Sequence, residues 1–502
     1  MTPRSAPIAA TRAGAVRGAV HKGRYVFRGV PFAAPPTGID RYLPPRPTPP
    51  WTGVRGAVRD GPTPPQPPSL APMDAFYPTV PGEDCLNLNV WTTDLGEACL
   101  PVMVWLYGGG FVNGSNILYD GERFARDGVV FVAPNYRLGA EGFLCLDDGI
   151  ANVGLLDQIA ALEWVRDNIA AFGGDPDDVT VFGESAGAMS VGALLAMPRA
   201  AGLFHRAILQ SGAGNTVSSV ETARGIGRRL ATKLGVEPVR EAIAEAGVDR
   251  VLAAQTALAA DLAPQPDPRR WGGEPGASVN PWRPTVDGDT LPTLPVDAIA
   301  AGVSAEIDVL IGTNAEEGRL SLVPVGAIES ITEADLAEAM RLYGLPVRRA
   351  LDAYRTAYPD ASPGDLLAIL QGDWYYRAPA TRLAEARADA DGHTYMYEFA
   401  WRSPQFDGLL GACHALEIPF VFDLLDDPVM QLLTGPTPPQ RLADLMHASW
   451  VSFARTGRAD WPRHLPEGRA AFRFGSVSER RCDPFPTRTL WKDVDLYEPG
   501  LG

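Results

Sequence analysis

The chain has 502 residues, of which 46% are hydrophobic and 21% charged, a globular composition that excludes wholesale disorder. Its net charge of −16 opposes binding to nucleic acid and to an anionic membrane surface. The five cysteines are scattered and form no CxxC pair, which favours a reducing compartment over a zinc site or a disulfide framework. Since we find neither an apolar signal-peptide segment nor a membrane-spanning run, we expect a cytoplasmic protein.

A proline-rich segment, residues 35–81, comes first along the chain. Its Pro-Pro pairs exclude helices and central strands, so we expect an ordered surface loop anchored by Trp51, Phe76 and Tyr77. From residue 101 onwards, short apolar runs alternate with helical patterns. Buried strands are predicted at 102–107, 128–134, 179–182, 207–209, 309–311 and 394–399, and helices at 155–172 and 186–195. The alternation predicts an α/β protein with a large, mostly parallel, twisted sheet flanked by helices.

Two helix-rich stretches interrupt this pattern, at about 215–300 and 325–390. They are rich in Ala, Glu and Arg and poor in strand-forming residues, so we interpret them as insertions. Although the length alone suggests about three domains, we expect a single domain over residues 1–502, because the candidate site residues described below must converge on one sheet.

The most specific local motif is GESAG at 183–187, which has the form GxSxG. It follows a predicted strand and begins a predicted helix, the setting of a nucleophile elbow with Ser185 at its tip. The alternative is a glycine-rich connection without chemistry, and the strand–turn–helix context favours a catalytic serine. Three glycines that follow another predicted strand, Gly108 to Gly110, offer bare backbone N–H groups for an oxyanion site.

A serine nucleophile needs a general base and an acid that orients the base. In the elbow architecture the acid and then the histidine follow the serine along the chain, which excludes His21. His414, in a loop that runs into an apolar segment, is the favoured base, and His393 is the second candidate. Glu316 and Glu317 both follow a predicted strand, and these residues alone leave the choice of the acid open.

Together these motifs resemble those of the type-B carboxylesterases, the α/β-hydrolase family that includes bacterial carboxylesterases and the cholinesterases. The resemblance extends from about residue 17 to the C-terminus. It rests on the segments FRGVPFAAPP (27–36), EDCLNLNV (83–90), NYRLG (135–139), GLLDQ (154–158), FGGDP (172–176) and GESAG (183–187). It implies the α/β-hydrolase fold, with helical insertions that form the pocket walls.

By position in these motifs, the resemblance makes Ser185 the nucleophile, His414 the general base and Glu317 the acid. It implies an oxyanion hole made by three backbone N–H groups, those of Gly109, Gly110 and Ala186. It implies a buried polar network beside the triad, formed by Glu184, Ser211 and Glu417. It also implies a salt bridge between Glu83 and Arg137.

The expected function is that of a serine hydrolase that cleaves small carboxylic esters through an acyl-enzyme, with no metal or organic cofactor. The alternatives are an aryl carbamate or amide hydrolase with the same triad and, least favoured, a non-catalytic cholinesterase-like interaction domain. Residues 61–83 contain no Trp, so the resemblance does not extend to the choline-binding aromatic floor of the cholinesterases. We expect a monomer or a small homo-oligomer, with no nucleic-acid or membrane partner.

Overall fold

The computed structural model of the chain describes residues 6–69, 73–264 and 266–497. In these residues the strands, numbered in chain order, are β1 Ile8–Ala10, β2 Ala15–Arg17, β3 Ala19–His21, β4 Arg24–Pro31, β5 Val54–Gly56, β6 Asn87–Thr92, β7 Leu100–Leu106, β8 Val130–Pro134, β9 Gly174–Glu184, β10 Arg206–Gln210, β11 Ser218–Ser219, β12 Thr285–Val286, β13 Asp308–Asn314, β14 Thr394–Phe399, β15 Ala470–Phe474 and β16 Glu479–Cys482.

The α-helices of the same residues are α1 Glu122–Arg126, α2 Gly139–Phe143, α3 Val153–Asn168, α4 Ala186–Leu194, α5 Val220–Leu234, α6 Arg240–Glu245, α7 Val248–Leu262, α8 Pro268–Trp271, α9 Gly273–Ser278, α10 Pro295–Ala300, α11 Arg319–Leu322, α12 Glu333–Leu342, α13 Val347–Ala357, α14 Pro363–Gly372, α15 Ala378–Ala386, α16 Ile418–Val421, α17 Gln431–Thr434, α18 Gln440–Thr456 and α19 Arg488–Trp491. A π-helical turn, Asp373–Arg377, joins α14 to α15. None of the helices in the described ranges combines the length and the apolar character needed to cross a bilayer.

Eleven strands of the described residues form one sheet, in the order β16-β15-β14-β13-β10-β9-β7-β8-β6-β4-β3. The six pairings from β15 to β8 are parallel, and the four pairings nearer the two edges are antiparallel. Parallel neighbours need long crossover connections, and helices occupy those connections here. The predicted large, mostly parallel sheet flanked by helices is therefore confirmed.

The central strands are continuous apolar runs because both faces of a parallel sheet are covered. Every residue of β8 is buried. The predicted strand 394–399 has the bounds of β14, and the other predicted strands correspond to β7, β8, β9, β10 and β13. β9 begins earlier than predicted, because Gly174 pairs with Leu100 at the start of β7.

The predicted helices are also present. The one predicted over 155–172 consists of α3 and a final 3-10 turn, after which Gly173 adopts a left-handed conformation with φ of 79°. The stretch predicted as helix-rich at 215–300 contains α5 to α10 and the short pair β11 and β12. The stretch at 325–390 contains α12 to α15 and the π-helical turn.

The sequence did not indicate the strands at and near the two edges of the sheet. At one edge, β16 is polar and none of its four residues is buried, so its sequence carries no alternation. Towards the other edge, β6 is the third strand in, and all six of its residues are buried although its sequence alternates with asparagine. Asn87 donates a side-chain hydrogen bond to the carbonyl of Pro62 at 2.8 Å, and Asn89 donates one to Asp60 at 3.0 Å. The proline-rich loop thus satisfies the polar positions of a buried strand.

That loop forms no α-helix and no strand of the large sheet in its described residues, as predicted. Trp51 anchors it by donating its indole N–H to the carbonyl of Ala15 at 3.0 Å. Phe76 and Tyr77 reach the wall of the cavity described below.

The expected salt bridge between Glu83 and Arg137 is wrong. Arg137 pairs instead with Asp157 of α3, with Nη2–Oδ1 and Nε–Oδ2 distances of 2.6 and 2.8 Å, and both side chains are fully buried. Glu83 lies on the surface with 63% of its side chain exposed, and it pairs with Arg41 at 2.9 Å. The guanidinium of Arg137 points into the core, where a buried charge requires a buried partner of opposite charge, and α3 supplies that carboxylate.

Candidate active site

A cavity of about 620 Å³ lies at the carboxyl ends of the parallel strands. Glu184 ends β9, the glycine run follows β7, and Glu317 follows β13, on the far side of β10, so the ends of these three central strands open into it. This is the edge at which open α/β sheets bind their ligands. Ser185, Glu317 and His414, from three distant parts of the chain, all line this cavity.

Ser185 occupies a strained turn between β9 and α4. Its φ of 53° and ψ of −124° lie in a region that non-glycine residues rarely adopt. The conformation is held by hydrogen bonds from the Ser185 N–H to the carbonyl of Gln210 at 2.9 Å and from the Met189 N–H to the Ser185 carbonyl at 2.8 Å. Gly187 is required there, because an added Cβ would overlap the carbonyl of Leu106. The predicted strand–turn–helix setting is therefore present.

The imidazole of His414 is oriented by Glu317. Nδ1 of His414 lies 2.7 Å from Oε2 of Glu317. The other oxygen, Oε1, accepts hydrogen bonds from the hydroxyl of Ser211 at 2.6 Å and from the backbone N–H of Asn314 at 2.7 Å. A carboxylate held by two further donors presents a fixed acceptor to Nδ1, which leaves Nε2 facing the cavity.

The two glutamates and the two histidines that the residues alone left open lie in different places. Glu316 turns away from the imidazole: it pairs with Arg319 at 2.8 Å and accepts the backbone N–H of Ala412 at 2.9 Å. His393 precedes β14 and lies at the opposite end of the sheet, where its Nδ1 is 3.1 Å from Asp308. The structure thus brings Glu317, not Glu316, to the histidine of the cavity.

A second carboxylate faces the free nitrogen of His414. Oε1 of Glu184 lies 3.0 Å from Nε2, and the side chain of Glu184 is 4% exposed. Burial alone would lower the pKa of His414, but the charges of Glu184 and Glu317 outweigh it and raise this pKa to about 9. Burial raises the pKa of Glu184 to about 8, against the opposing effect of His414. Burial therefore favours the neutral forms of Glu184 and His414, whereas each of the two favours the charged form of the other.

Glu417 is fully buried and does not line the cavity. It accepts hydrogen bonds from Gln210 at 3.1 Å and from the side chain of Asn314 at 2.6 Å. Burial and the neighbouring charge of Glu317 raise the pKa of Glu417. The carboxylate links the ends of β10 and β13, since Gln210 and Asn314 are the last residues of these strands.

The glycine run forms the floor of the cavity next to Ser185. Gly109 and Gly110 have φ of 111° and 62°, and an added Cβ on Gly109 would overlap the carbonyl of Asn113. The carbonyl of Gly110 accepts the side-chain amide of Asn280 at 2.6 Å, which anchors this loop from the first helix-rich stretch. The remaining proposed donor, Ala186, is the fully buried first residue of α4.

Sequence analysis missed most of the aromatic wall of the cavity. Eight rings line it: Phe76, Tyr77, Phe111, Tyr119, Tyr343, Trp374, Tyr375 and Tyr376. They come from five separate segments, so no periodic pattern marks them in the sequence. Burial and the charge of Glu184 raise the pKa of Tyr77 to about 12. Burial also raises the pKa of Tyr119 well above its ordinary value. Both phenols therefore stay neutral.

Known proteins resemble this chain over nearly its whole length. A family model described as the carboxylesterase family matches residues 5–476. A para-nitrobenzyl esterase of Bacillus subtilis is 37% identical, over 96% of this chain and 99% of that protein. A phenmedipham hydrolase of Pseudarthrobacter oxydans is 37% identical, over 90% of each chain. The crystal structure of a Geobacillus stearothermophilus carboxylesterase has a TM-score of 0.84 at 36% identity and covers 97% of this chain and 100% of its own.

Sequence, fold and family model agree with one another. The large mixed sheet with flanking helices is shared with solved carboxylesterase structures. The chain belongs to the carboxylesterase family, and it is a carboxylic ester hydrolase with the α/β-hydrolase fold.

Proposed function

We propose that Ser185, His414 and Glu317 form the catalytic triad of this esterase. The observation that carries the proposal is the 2.7 Å contact between Nδ1 of His414 and Oε2 of Glu317, at a cavity where Ser185 sits on a strained turn. A nucleophile, a base and an orienting acid that meet at one cavity are the arrangement that acyl transfer requires.

In the first step, Nε2 of His414 takes the proton of the Ser185 hydroxyl as its oxygen attacks the ester carbonyl carbon. The carbonyl oxygen becomes an oxyanion, which the backbone N–H groups of Gly109, Gly110 and Ala186 stabilise. The carbon–oxygen bond to the alcohol then breaks, and the alcohol leaves with the proton of the imidazolium. Water attacks the acyl-enzyme by the same route, which releases the acid and restores the serine.

The cavity supports uncharged aromatic esters as substrates. Its wall is built largely from aromatic rings, and no Lys or Arg is found among the described residues that line it. Two carboxyl groups, Glu184 and Glu317, face it instead, so an anionic acyl or alcohol group would find no lysine or arginine to pair with among the described lining residues. Flat, neutral acyl or alcohol groups gain contact with the rings at no such cost.

An aryl carbamate is the second candidate substrate. The triad chemistry is the same, since a carbamate also has a carbonyl carbon bonded to an oxygen leaving group. Two observations support it: the aromatic wall, and the 37% identity to a protein named phenmedipham hydrolase. A panel of esters, carbamates and amides that share one aromatic leaving group would rank these bonds by kcat/KM.

Ser185→Ala tests the proposed nucleophile. Hydrolysis of p-nitrophenyl acetate should fall to background while the melting temperature stays near that of the wild type. A fluorophosphonate should add to the wild-type enzyme with a stoichiometry of one, on the peptide that contains Ser185, and should not add to the variant. Ser321→Ala is the control, because Ser321 lines the same cavity but its hydroxyl donates to the carbonyl of Gly318 at 2.9 Å. Turnover that survives in Ser185→Ala would contradict the assignment.

We also propose a compartment, a domain organisation and an oligomeric state for the protein. The scattered cysteines support a reducing compartment such as the cytoplasm. We keep residues 1–502 as one catalytic unit, because the cavity draws its wall from both helix-rich stretches. Size-exclusion chromatography with light scattering would test whether the protein is a monomer or a small homo-oligomer.

A further inference from the structure

Tyr376 lies against the imidazole of His414 on the cavity wall. The two rings are stacked, with centroids 4.6 Å apart and an angle of 24° between their planes. The phenolic oxygen is 3.4 Å from Nε2 of His414, and the side chain of Ser185 is near enough to oppose the effect of burial on the pKa of Tyr376. The hydroxyl of Tyr376 therefore lies beside the nitrogen that takes up and returns the proton in the proposed mechanism, in the cavity that Ser185 also lines.

The π-helical turn fixes this position. Asp373, its first residue, is fully buried and accepts the hydroxyl of Tyr354 at 2.6 Å and the guanidinium of Arg377 at 2.5 Å. Arg377 also donates to the carbonyl of Ala315 at 3.0 Å, in the segment that leads to the acid of the triad. The turn that carries Tyr376 is thus tied to the strand end that orients the imidazole. π-Helical turns of this kind are frequent at functional sites.

The position of the Tyr376 hydroxyl matters because Nε2 of His414 must pass a proton to the leaving alcohol. When the alcohol departs, its oxygen has to come within hydrogen-bond reach of Nε2 to receive the proton. The phenolic oxygen of Tyr376 already lies beside that position. Burial raises the pKa of Tyr376 well above its ordinary value, so the phenol keeps its proton and remains a donor.

We propose that Tyr376 is an additional catalytic residue, whose hydroxyl donates a hydrogen bond to the oxygen of the leaving alcohol as the carbon–oxygen bond breaks. The inference rests on the proposed triad mechanism. The electron pair of the breaking bond goes to the leaving oxygen, and His414 supplies the proton that the oxygen gains. Tyr376 keeps its own proton and only stabilises the negative charge that develops before the transfer is complete.

The contribution of the Tyr376 hydroxyl to the rate of acylation should depend on the leaving group. A p-nitrophenolate leaves without help, whereas an alkoxide accumulates much more charge in need of stabilisation. A hydrogen bond to a charge-bearing oxygen corresponds to roughly a tenfold to hundredfold change in rate. Tyr376 would therefore extend the activity from activated aryl esters to esters of ordinary alcohols.

Tyr376→Phe tests this by removing the hydroxyl while keeping the stacked ring. We would measure kcat/KM for acetates of p-nitrophenol, phenol, trifluoroethanol and ethanol, because this parameter reports the acylation step. The value for p-nitrophenyl acetate should change by less than about threefold, and the value for ethyl acetate should fall by about tenfold to a hundredfold. A plot of log kcat/KM against leaving-group pKa should become steeper. An equal fall for all four esters, or no fall, would overturn the proposal.

Tyr375→Phe is the matched control, because it removes a hydroxyl from the same turn and the same wall, and its slope should remain that of the wild type. If Tyr376→Phe fails to fold, a fluorinated tyrosine at position 376 replaces it: this isosteric, stronger donor should flatten the slope, and an unchanged slope would refute the role. Fluorophosphonate labelling separates the two hypotheses. Labelled Ser185 with an unchanged slope defeats only the role of Tyr376, whereas unlabelled wild-type Ser185 defeats the triad itself.

Discussion

Glu317→Gln replaces the acid of the proposed triad by its closest isostere, and the hydrogen bonds around it determine the outcome. Oε1 of Glu317 accepts two donors, the hydroxyl of Ser211 and the backbone N–H of Asn314. A backbone N–H cannot become an acceptor, so the glutamine will keep its oxygen at that position. Its NH₂ group must then face Nδ1 of His414, which lies 2.7 Å from the second oxygen.

Two donors cannot share this contact, so the imidazole of His414 must carry its proton on Nε2 instead. Nε2 is the atom that has to accept the proton of Ser185, and in this tautomer it has no free lone pair. In a serine protease the equivalent change costs about 10⁴-fold in kcat, which is about 5.4 kcal/mol of activation free energy. We expect a loss of that order here, with little change in melting temperature because the volume and the two donors at Oε1 are retained.

Glu316→Gln is the matched control, since the two glutamates are adjacent in sequence. Glu316 pairs with the buried guanidinium of Arg319 at 2.8 Å and does not face the imidazole. Removing its charge should reduce the free energy of unfolding by about 1–3 kcal/mol, measured by urea denaturation, because Arg319 then loses a carboxylate partner and keeps Asp365 and the carbonyl of Leu409. The rate per folded molecule should remain within about tenfold of the wild type.

The assay is kcat for p-nitrophenyl acetate, with active sites counted by a fluorophosphonate. If Glu317→Gln keeps more than about a tenth of the wild-type kcat, the carboxylate does not set the tautomer and the argument from the hydrogen bonds fails. If Glu316→Gln is the more damaged enzyme, the acid has been assigned to the wrong residue.

Two further predictions concern the charge and the backbone of the site. Activity requires neutral His414, so it should fall as the pH drops through the raised pKa of about 9. Glu184→Gln removes a charge that stabilises the imidazolium. The acid limb of its kcat/KM profile should therefore move to lower pH by at least about one unit. A limb that stays in place or moves upward would contradict this electrostatic account. Gly109→Ala places a methyl group against a backbone carbonyl of its own loop at φ of 111°, so kcat should fall by about a hundredfold or more. In Gly110→Ala the Cβ would meet only a side-chain amide at 3.5 Å, so the loss should be smaller, although the φ of 62° is also strained for alanine. A Gly109→Ala enzyme that keeps more than about a tenth of the wild-type kcat would argue against the proposed oxyanion loop.

The sequence by itself determined those features whose signal is contiguous. An apolar run such as residues 130–134 must be buried on both faces, which identifies a central parallel strand without knowledge of its neighbours. The motif at 183–187 and the glycine run at 108–110 can also be recognised from neighbouring residues alone, because a tight turn and an exposed backbone need glycine at nearby positions. The candidate site residues follow predicted parallel strands, whose carboxyl ends lie at one edge of the sheet. The sequence therefore also predicted one shared site.

Only the tertiary structure decided the features that depend on partners distant in sequence. That Glu317 rather than Glu316 contacts His414 follows from the direction in which each side chain leaves its loop, which these adjacent residues by themselves do not reveal. Arg137 takes Asp157 as its partner because burial of a guanidinium demands a buried carboxylate, and packing brought that one within 2.6 Å. Tyr376 reached the imidazole through a π-helical turn, whose extra residue changes the direction of every side chain after it. Local propensity encodes elements, whereas contacts between elements arise only when the chain has folded.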